Sequence, residues 1–209
     1  MTQRPAAPRA APIKPSRAAK VAVKRTRLDK AARREQLLAF GLKAFASVPY
    51  DELSIDSLAR EAGISKGLLY HYFPTKRDYY VATVQEAARV LRQETMTPDA
   101  SPPIERLERG LRAYLSFAER HDKAYLALMR GGTSADPEVA RVVNETREEL
   151  LARVMNDAPK ARGEMRLRLR GWIAFVEATA MEWLEHRKPA RGPLVELWKQ
   201  MFVAAVTVG

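Results

Sequence analysis

Cysteine is absent from this chain of 209 residues. Disulfides and thiolate-bound zinc are therefore excluded, and nothing points to an oxidising compartment. Histidine is scarce: His71, His121 and His186 are the only three. They are scattered and form no His-x-x-x-His pair, so no metal site and no cofactor is expected. No apolar run reaches the roughly 18 residues of a transmembrane helix, so no membrane association is expected. The N-terminus lacks the apolar stretch of a secretory signal. It is rich in Arg and Ala and poor in acids, as transit peptides are, but Pro5, Pro8, Pro12 and Pro15 would spoil the amphipathic helix those peptides form.

Acidic residues are also missing where basic ones gather. Residues 1–30 hold nine Lys or Arg against Asp29 alone, so they carry +8 of the net charge of +11. Residues 1–28 read as a disordered basic arm, because a Pro- and Ala-rich segment of this kind buries too little apolar surface to fold alone. Its expected role is to follow phosphates or enter a minor groove, with Lys24, Arg25 and Arg27 nearest the folded part. The competing reading is a solvated leader.

Beyond the arm the chain is able to build a core, with 46% hydrophobic residues over its whole length, and it is helical in pattern. No segment shows a sustained period of two, and Gly and Pro fall between periodic stretches, so the expected fold class is all-α. Leu38, Leu42 and Phe45 line a first helix that ends before Pro49. Residues 97–103, with three prolines, form the clearest loop. Ile104, Leu107, Leu111, Tyr114, Leu115 and Ala118 mark a strongly amphipathic helix. Another segment spans about 122–129 and stops at Gly131-Gly132. Asp136-Pro137-Glu138 has the form of a helix start, with Val139, Val142, Val143, Thr146, Leu150 and Val154 along one side. Two further helices are expected near 162–185 and 193–208.

The densest information lies in residues 54–76. Ile55, Leu58, Ala59 and Ala62 share one helical face behind Ser54 as N-cap and Asp56 in the first turn. Gly63 suits a left-handed C-terminal cap, and Ser65 starts a second, short helix that Pro74 limits. Thr75-Lys76-Arg77-Asp78 is a capping box opening a third helix. Two short helices around a glycine turn match the helix-turn-helix pattern, here at 54–73. Projected at 100° per residue, Leu69 and Phe73 face the core with Ser65. Gly67, Leu68, Tyr70 and His71 point away, and Lys66 and Tyr72 lie on the flanks. In the DNA-reading arrangement this second helix enters the major groove. Gly67 permits close approach there, Lys66 is able to donate to guanine, and the hydroxyls and imidazole reach phosphates. Ser54, Ser65 and Lys76 complete the expected contact set.

A rival motif overlaps it. Gly63-Ile64-Ser65-Lys66-Gly67 fits the Gly-x-Ser-x-Gly elbow of hydrolases, but that elbow needs a strand before it and acid and His partners later. A helix precedes this one, so no enzymatic activity is expected and Ser65 is read as a cap.

The run Leu58-Ala59-x-x-Ala62-Gly63-x-Ser65-Lys66-Gly67-x-Leu69-Tyr70-x-Tyr72-Phe73-x-x-Lys76, with an amphipathic helix upstream, resembles the DNA-binding domain of TetR-type transcriptional repressors. The match spans roughly residues 28–90. The resemblance implies a DNA-binding domain at 29–80 and a helical ligand-binding and dimerisation domain at 81–209. It also implies a homodimer on a double-stranded, palindromic operator, released when a small molecule binds, in the bacterial cytoplasm at the nucleoid. A helical DNA-binding protein without a ligand, relying on the basic arm and partner association, is the alternative.

Large apolar groups concentrate in the last two helices: Trp172, Ile173, Phe175, Val176, Trp183 and Leu184, then Leu194, Leu197, Trp198, Phe202 and Val203. A monomer would struggle to cover them all, so these helices are expected to form an isologous four-helix interface. For a small, largely apolar effector the candidate contacts are Tyr114, Phe117, Tyr125, Met129, Trp172, Phe175, Glu177 and Thr179. Glu177, inside an apolar run, needs a partner, and an internal ion pair with an arginine is the favoured reading.

Overall fold

Short-range rules account for the first four helices of the computed structural model, which describes residues 30–47, 50, 52–97, 100–132, 136–156 and 162–207. The basic arm, with Lys24, Arg25 and Arg27, lies outside the described residues. Helix α1 (Lys30–Ser47) precedes α2 (Ile55–Glu61), α3 (Lys66–Tyr72) and α4 (Lys76–Glu94). Ser54 Oγ accepts from Ser57 N–H at 3.1 Å and Ser65 Oγ from Leu68 N–H at 3.1 Å, so both serines are N-caps. Gly63 adopts φ +66°. Gly63 N–H bonds to Arg60 O and Ile64 N–H to Ala59 O, the paired bonds of a Schellman ending. Thr75 and Asp78 form the expected reciprocal capping box.

These helices enclose one apolar core. Leu37, Leu38 and Phe45 of α1 meet Leu58 and Ala59 of α2, Leu69 of α3, Phe73, and Tyr79 of α4. The approach of α1 to α4 depends on Gly41, since a Cβ there would lie 2.5 Å from Thr83 Oγ1 and 3.0 Å from the Tyr79 hydroxyl. Tyr79 is fully buried and its hydroxyl donates to Leu37 O.

The rest is helical as well: α5 (Pro103–Arg120), α6 (Asp122–Ala127), a π-helical turn (Leu128–Gly132), α7 (Pro137–Asn156), α8 (Arg162–His186) and α9 (Arg191–Thr207). Nine α-helices and no strand are thus found among the described residues. The chain between α6 and α7 does not simply stop at the glycines, because the π turn carries the helix through Gly131 and Gly132. Asp136 caps α7 as expected, its Oδ1 accepting from Glu138 N–H at 2.8 Å.

A second core joins α5, α8 and α9 around Leu115, Leu169, Ala180, Val195 and Trp198. A single chain covers most of the large groups that were expected to need two. Trp172, Ile173, Val176, Trp183, Leu184, Leu194 and Trp198 are all buried within it. Their burial arises because α9 folds back on α8 while α5 covers both, so the size of these groups is no argument for a dimer.

One helix belongs to both cores. Tyr79 and Ala82 near the start of α4 pack in the first, and Leu91 near its end packs in the second. Between them, Val81 and Val84 pack against Val139 and Val142 of α7. Helix α7 runs beside α4 in the same direction and holds it at each end. Arg77 bonds Asp136 through two nitrogens, at 2.6 and 2.9 Å, and Arg153 Nη1 donates to Arg92 O at 3.0 Å and Thr95 Oγ1 at 3.3 Å.

Candidate nucleic-acid interface and ligand cavity

The outer side of α3 presents a small polar and aromatic surface. Tyr70 is 39% exposed, and Lys66, Gly67 and His71 are exposed beside it. Leu68 is half-buried. Nothing stands within 4 Å of a Cβ built on Gly67, so the backbone there is open to close approach. Leu69 and Phe73 point inward at 1% and 2% exposure, which anchors the opposite face.

Five residues of the expected contact set have protein partners as well. Lys66 Nζ lies 3.0 Å from the Asp56 carboxylate, bridging the first turns of α2 and α3. The hydrogen bond and charge of Asp56 hold the Lys66 ammonium above its ordinary pKa. Exposed ion pairs of this kind are weak and salt-screened, so DNA phosphates are able to draw Lys66 away. Lys76 differs. Its ammonium donates to Tyr50 O at 2.6 Å and Leu53 O at 2.9 Å and sits 4.2 Å from the Tyr50 ring centroid. It ties the α1–α2 connection to α4 and is engaged by the protein. Tyr72 is half-buried and packs on the first core, edge-on to His71 and against Phe73. Its part is to seat α3. Ser54 and Ser65 are exposed but work as caps, and the turn at Gly63 joins two helices, so the strand-to-helix geometry of a hydrolase elbow is not present there.

In the second core a cavity of about 460 Å³ opens beside the end of α4, a size typical of small-molecule sites. Ile104, Leu107, Leu111 and Tyr114 line it along three turns of α5, facing Leu150 and Val154 of α7. Trp172, Ile173, Val176 and Glu177 of α8 and Phe202 of α9 close it. Of the residues singled out from sequence, Tyr114, Trp172 and Glu177 are brought together here. Glu177 has the arginine partner expected: Arg147 Nε donates to its two carboxylate oxygens at 2.8 and 3.1 Å. Burial disfavours the Arg147 cation, but the Glu177 bond and charge outweigh it and raise its pKa.

The other candidates are elsewhere. Phe117 and Tyr125 line a separate void of about 60 Å³ between the two cores, opposite Phe45 and Tyr80. Met129 sits on the π turn and Phe175 at the edge of the second core, both as packing groups. The Thr179 hydroxyl donates to Phe175 O and accepts from Trp198 Nε1, both at 2.7 Å. Sequence reasoning missed two cavity residues of consequence, Arg106 and Arg153. Arg106 is adjacent to the apolar Leu107, and Arg153 follows Leu150 at three residues. That spacing was the available signal, but arginines beside an apolar stripe are ordinarily solvent-facing.

A capped helix-turn-helix with an exposed second helix, joined by a continuous helix to a domain holding a separate cavity, defines a helix-turn-helix DNA-binding regulator. Known proteins agree. Residues 37–83 match the family model of bacterial regulatory proteins, tetR family, and residues 103–205 match that of the tetracyclin repressor-like C-terminal domain. A tetR-family transcriptional regulator from Streptomyces coelicolor is 32% identical, with a TM-score of 0.74 over 85% of this chain and 80% of that one. The chain therefore belongs to the TetR family and is a DNA-binding transcriptional regulator. The transcriptional activator FasR of Mycolicibacterium smegmatis is 28% identical over 171 residues, 78% of this chain and 77% of that protein. The fatty acid degradation regulator FadR of Bacillus halodurans shares the fold, with a TM-score of 0.66 at 17% identity over 86% of this chain and 97% of that one. Among the described residues no helix is long and apolar enough to cross a membrane.

Proposed function

We propose that this chain is a homodimeric repressor of bacterial genes, released from a palindromic operator when a small, largely apolar ligand enters the cavity. In this reading residues 29–80 bind DNA and residues 81–209 hold the ligand and the partner subunit. The observation that carries it is α4. The helix following the reading helix is capped at Thr95, and Thr95, Met96 and Thr97 are part of the cavity wall. A ligand that displaces this end tilts the other, and two reading helices must stay about 34 to 36 Å apart to meet successive major grooves.

A surface for the partner supports the dimer. Leu167, Gly171, Ala174 and Ala178 recur at helical spacing on α8, all exposed, and Leu197, Met201 and Ala204 form an exposed stripe on α9. Leu167 is 73% exposed, unusual for a leucine with no covering partner. Small residues between larger ones let two helices approach closely, so α8 and α9 of two subunits fit a four-helix interface.

Selection of bound DNA from a random pool tests the reading. The expected product is an inverted repeat with half-sites one helical turn apart, and a pool without enriched symmetry overturns it. The arm adds a second expectation. Deleting residues 1–24 should shallow the log-log dependence of binding on salt by about 0.9 per lost phosphate contact. An unchanged slope means that the arm does not touch DNA.

A further inference from the structure

Arg77 stands where the reading head meets the rest of the chain. It is the second residue of α4, and three local devices fix it to α3. Phe73 N–H closes α3 on Leu69 O at 2.9 Å, Thr75 and Asp78 open α4 with their capping box, and Lys76 holds the α1–α2 connection. A displacement of Arg77 is therefore a displacement of α3. Its partner Asp136 stands at the start of α7. Asp136 Oδ1 accepts from Glu138 N–H at 2.8 Å and Val139 N–H at 3.4 Å. The same carboxylate takes Arg77 Nε on Oδ2 at 2.6 Å and Arg77 Nη2 on Oδ1 at 2.9 Å. One carboxylate thus caps a helix and receives a two-pronged guanidinium.

Neighbouring contacts across this junction are of a different kind. Val81 and Val84 meet Val139 and Val142, and apolar contacts are non-directional, so they hold α4 and α7 close without setting an angle. The void of about 60 Å³ beside Phe45, Tyr80, Phe117 and Tyr125 leaves the packing between the two cores incomplete. A fork of two parallel N–H···O bonds to a carboxylate is charge-assisted and adds the directional constraint that these contacts lack. The Asp136 side chain is 16% exposed, so solvent reaches the fork mainly from the Arg77 side.

We propose that Arg77 and Asp136 are the positioning pair of the reading head: their fork sets the angle at which α3 leaves the second domain, and with it the half-site spacing that two subunits read. This rests on the dimeric, palindrome-reading function proposed above and names the residues that give it its spacing. One added base pair moves a half-site by about 3.4 Å along the duplex and turns it by about a tenth of a revolution. A head held at one angle fits one spacing. A head free to pivot fits its neighbours with a smaller penalty.

Gel shifts with the full-length protein test it on four DNAs: the selected operator, the same operator with one base pair added at its centre, the same with one removed, and a single half-site. The variants are Arg77→Gln, Arg77→Lys and Asp136→Asn. Arg77→Gln leaves the α7 cap untouched and also removes any substitute pairing with Glu138, whose charge acts on Arg77. Asn at position 136 is itself a favoured cap. The wild type should lose affinity steeply when the spacing is altered. In Arg77→Gln and Asp136→Asn that penalty should shrink by about two- to thirtyfold, the range for losing one partly exposed ion pair in each of two subunits. Affinity for the single half-site and the melting temperature should stay at the wild-type level. Arg77→Lys, which keeps the charge without the fork, should fall between. A wild-type spacing penalty in both the Gln and the Asn variant overturns the positioning role and leaves the dimeric reading in place. An equal loss of affinity on all four DNAs with a lowered melting temperature overturns it too, because the pair then only supports the fold. A wild type that binds the operator no more tightly than the single half-site overturns the dimeric reading, and the positioning pair with it.

Discussion

Replacing Tyr70 and His71 together with alanine is expected to reduce operator affinity by on the order of a hundred- to a thousandfold while leaving the melting temperature unchanged. The two parts of this expectation have separate causes. Both side chains stand on the exposed side of α3, and substitutions at such positions usually shift stability by no more than about 0.5 kcal/mol. Their loss from DNA counts twice in the proposed dimer, which presents α3 to each half-site. At about 1 kcal/mol or more for each specific contact, four lost contacts reach the stated range. Tyr72 is left in place deliberately. It is half-buried on the first core, so its removal would confuse loss of contact with loss of seating. Gel shifts with the selected operator and with unrelated DNA check the prediction. Specific binding should collapse toward the unrelated-DNA level, whose affinity is carried by phosphate contacts and should barely change. Wild-type operator affinity in the double variant would mean that α3 does not read the bases.

The reading head was legible because its determinants are local. The Ser54 and Ser65 caps, the Gly63 turn and the Thr75–Asp78 box each span three to five residues, and the inward direction of Leu69 and Phe73 follows from helical spacing alone. Lys76 shows where that reasoning stops. Its carbonyl partners at Tyr50 and Leu53 are 26 and 23 residues away, and no pattern within the motif distinguishes a lysine that clips a loop from one that awaits phosphate. Lys66 and Asp56, ten residues apart, pair only because the Gly63 turn brings two helix starts together.

The cavity was less legible for a related reason. Ile104, Leu107 and Leu111 have the spacing of ordinary core residues, and they line empty space only because α7 and α8 stand off from α5 at that level. Aromatic identity pointed toward Phe117 and Tyr125, but a helix has more than one buried side, and these two pack in the second core on the side turned toward Phe45 and Tyr80. Glu177 was the opposite case. A carboxylate in an apolar run must be paired wherever it lies, so the existence of a partner followed from chemistry, and only its identity as Arg147 needed the fold.

Trp198→Ala should have the largest effect on stability of any single substitution in the second core, about 3–5 kcal/mol in urea or thermal unfolding. Trp198 is fully buried and the largest side chain to be so. It ties α9 to its neighbours in three ways: its Nε1 donates to Thr179 Oγ1, its carbonyl accepts from Trp172 Nε1 at 2.9 Å, and its ring stands edge-on to Tyr114 at 6.2 Å. The alanine variant keeps the backbone carbonyl, so the Trp172 bond survives in principle. The cavity term and the stranded Thr179 hydroxyl do not recover. Trp198→Phe separates the two contributions, since it retains most of the volume and loses only the donor; its loss should be closer to about 1–2 kcal/mol, the usual range for an unmade buried hydrogen bond. Similar losses for the two variants would place the energy in the hydrogen bond and not in the packing. Because Leu197 and Met201 flank Trp198 on the exposed side of α9, the alanine variant should also weaken the proposed dimer, dissociating to monomer at higher protein concentration than the wild type. That link between a buried tryptophan and assembly is measurable by sedimentation, and its absence would separate the partner surface from the packing beneath it.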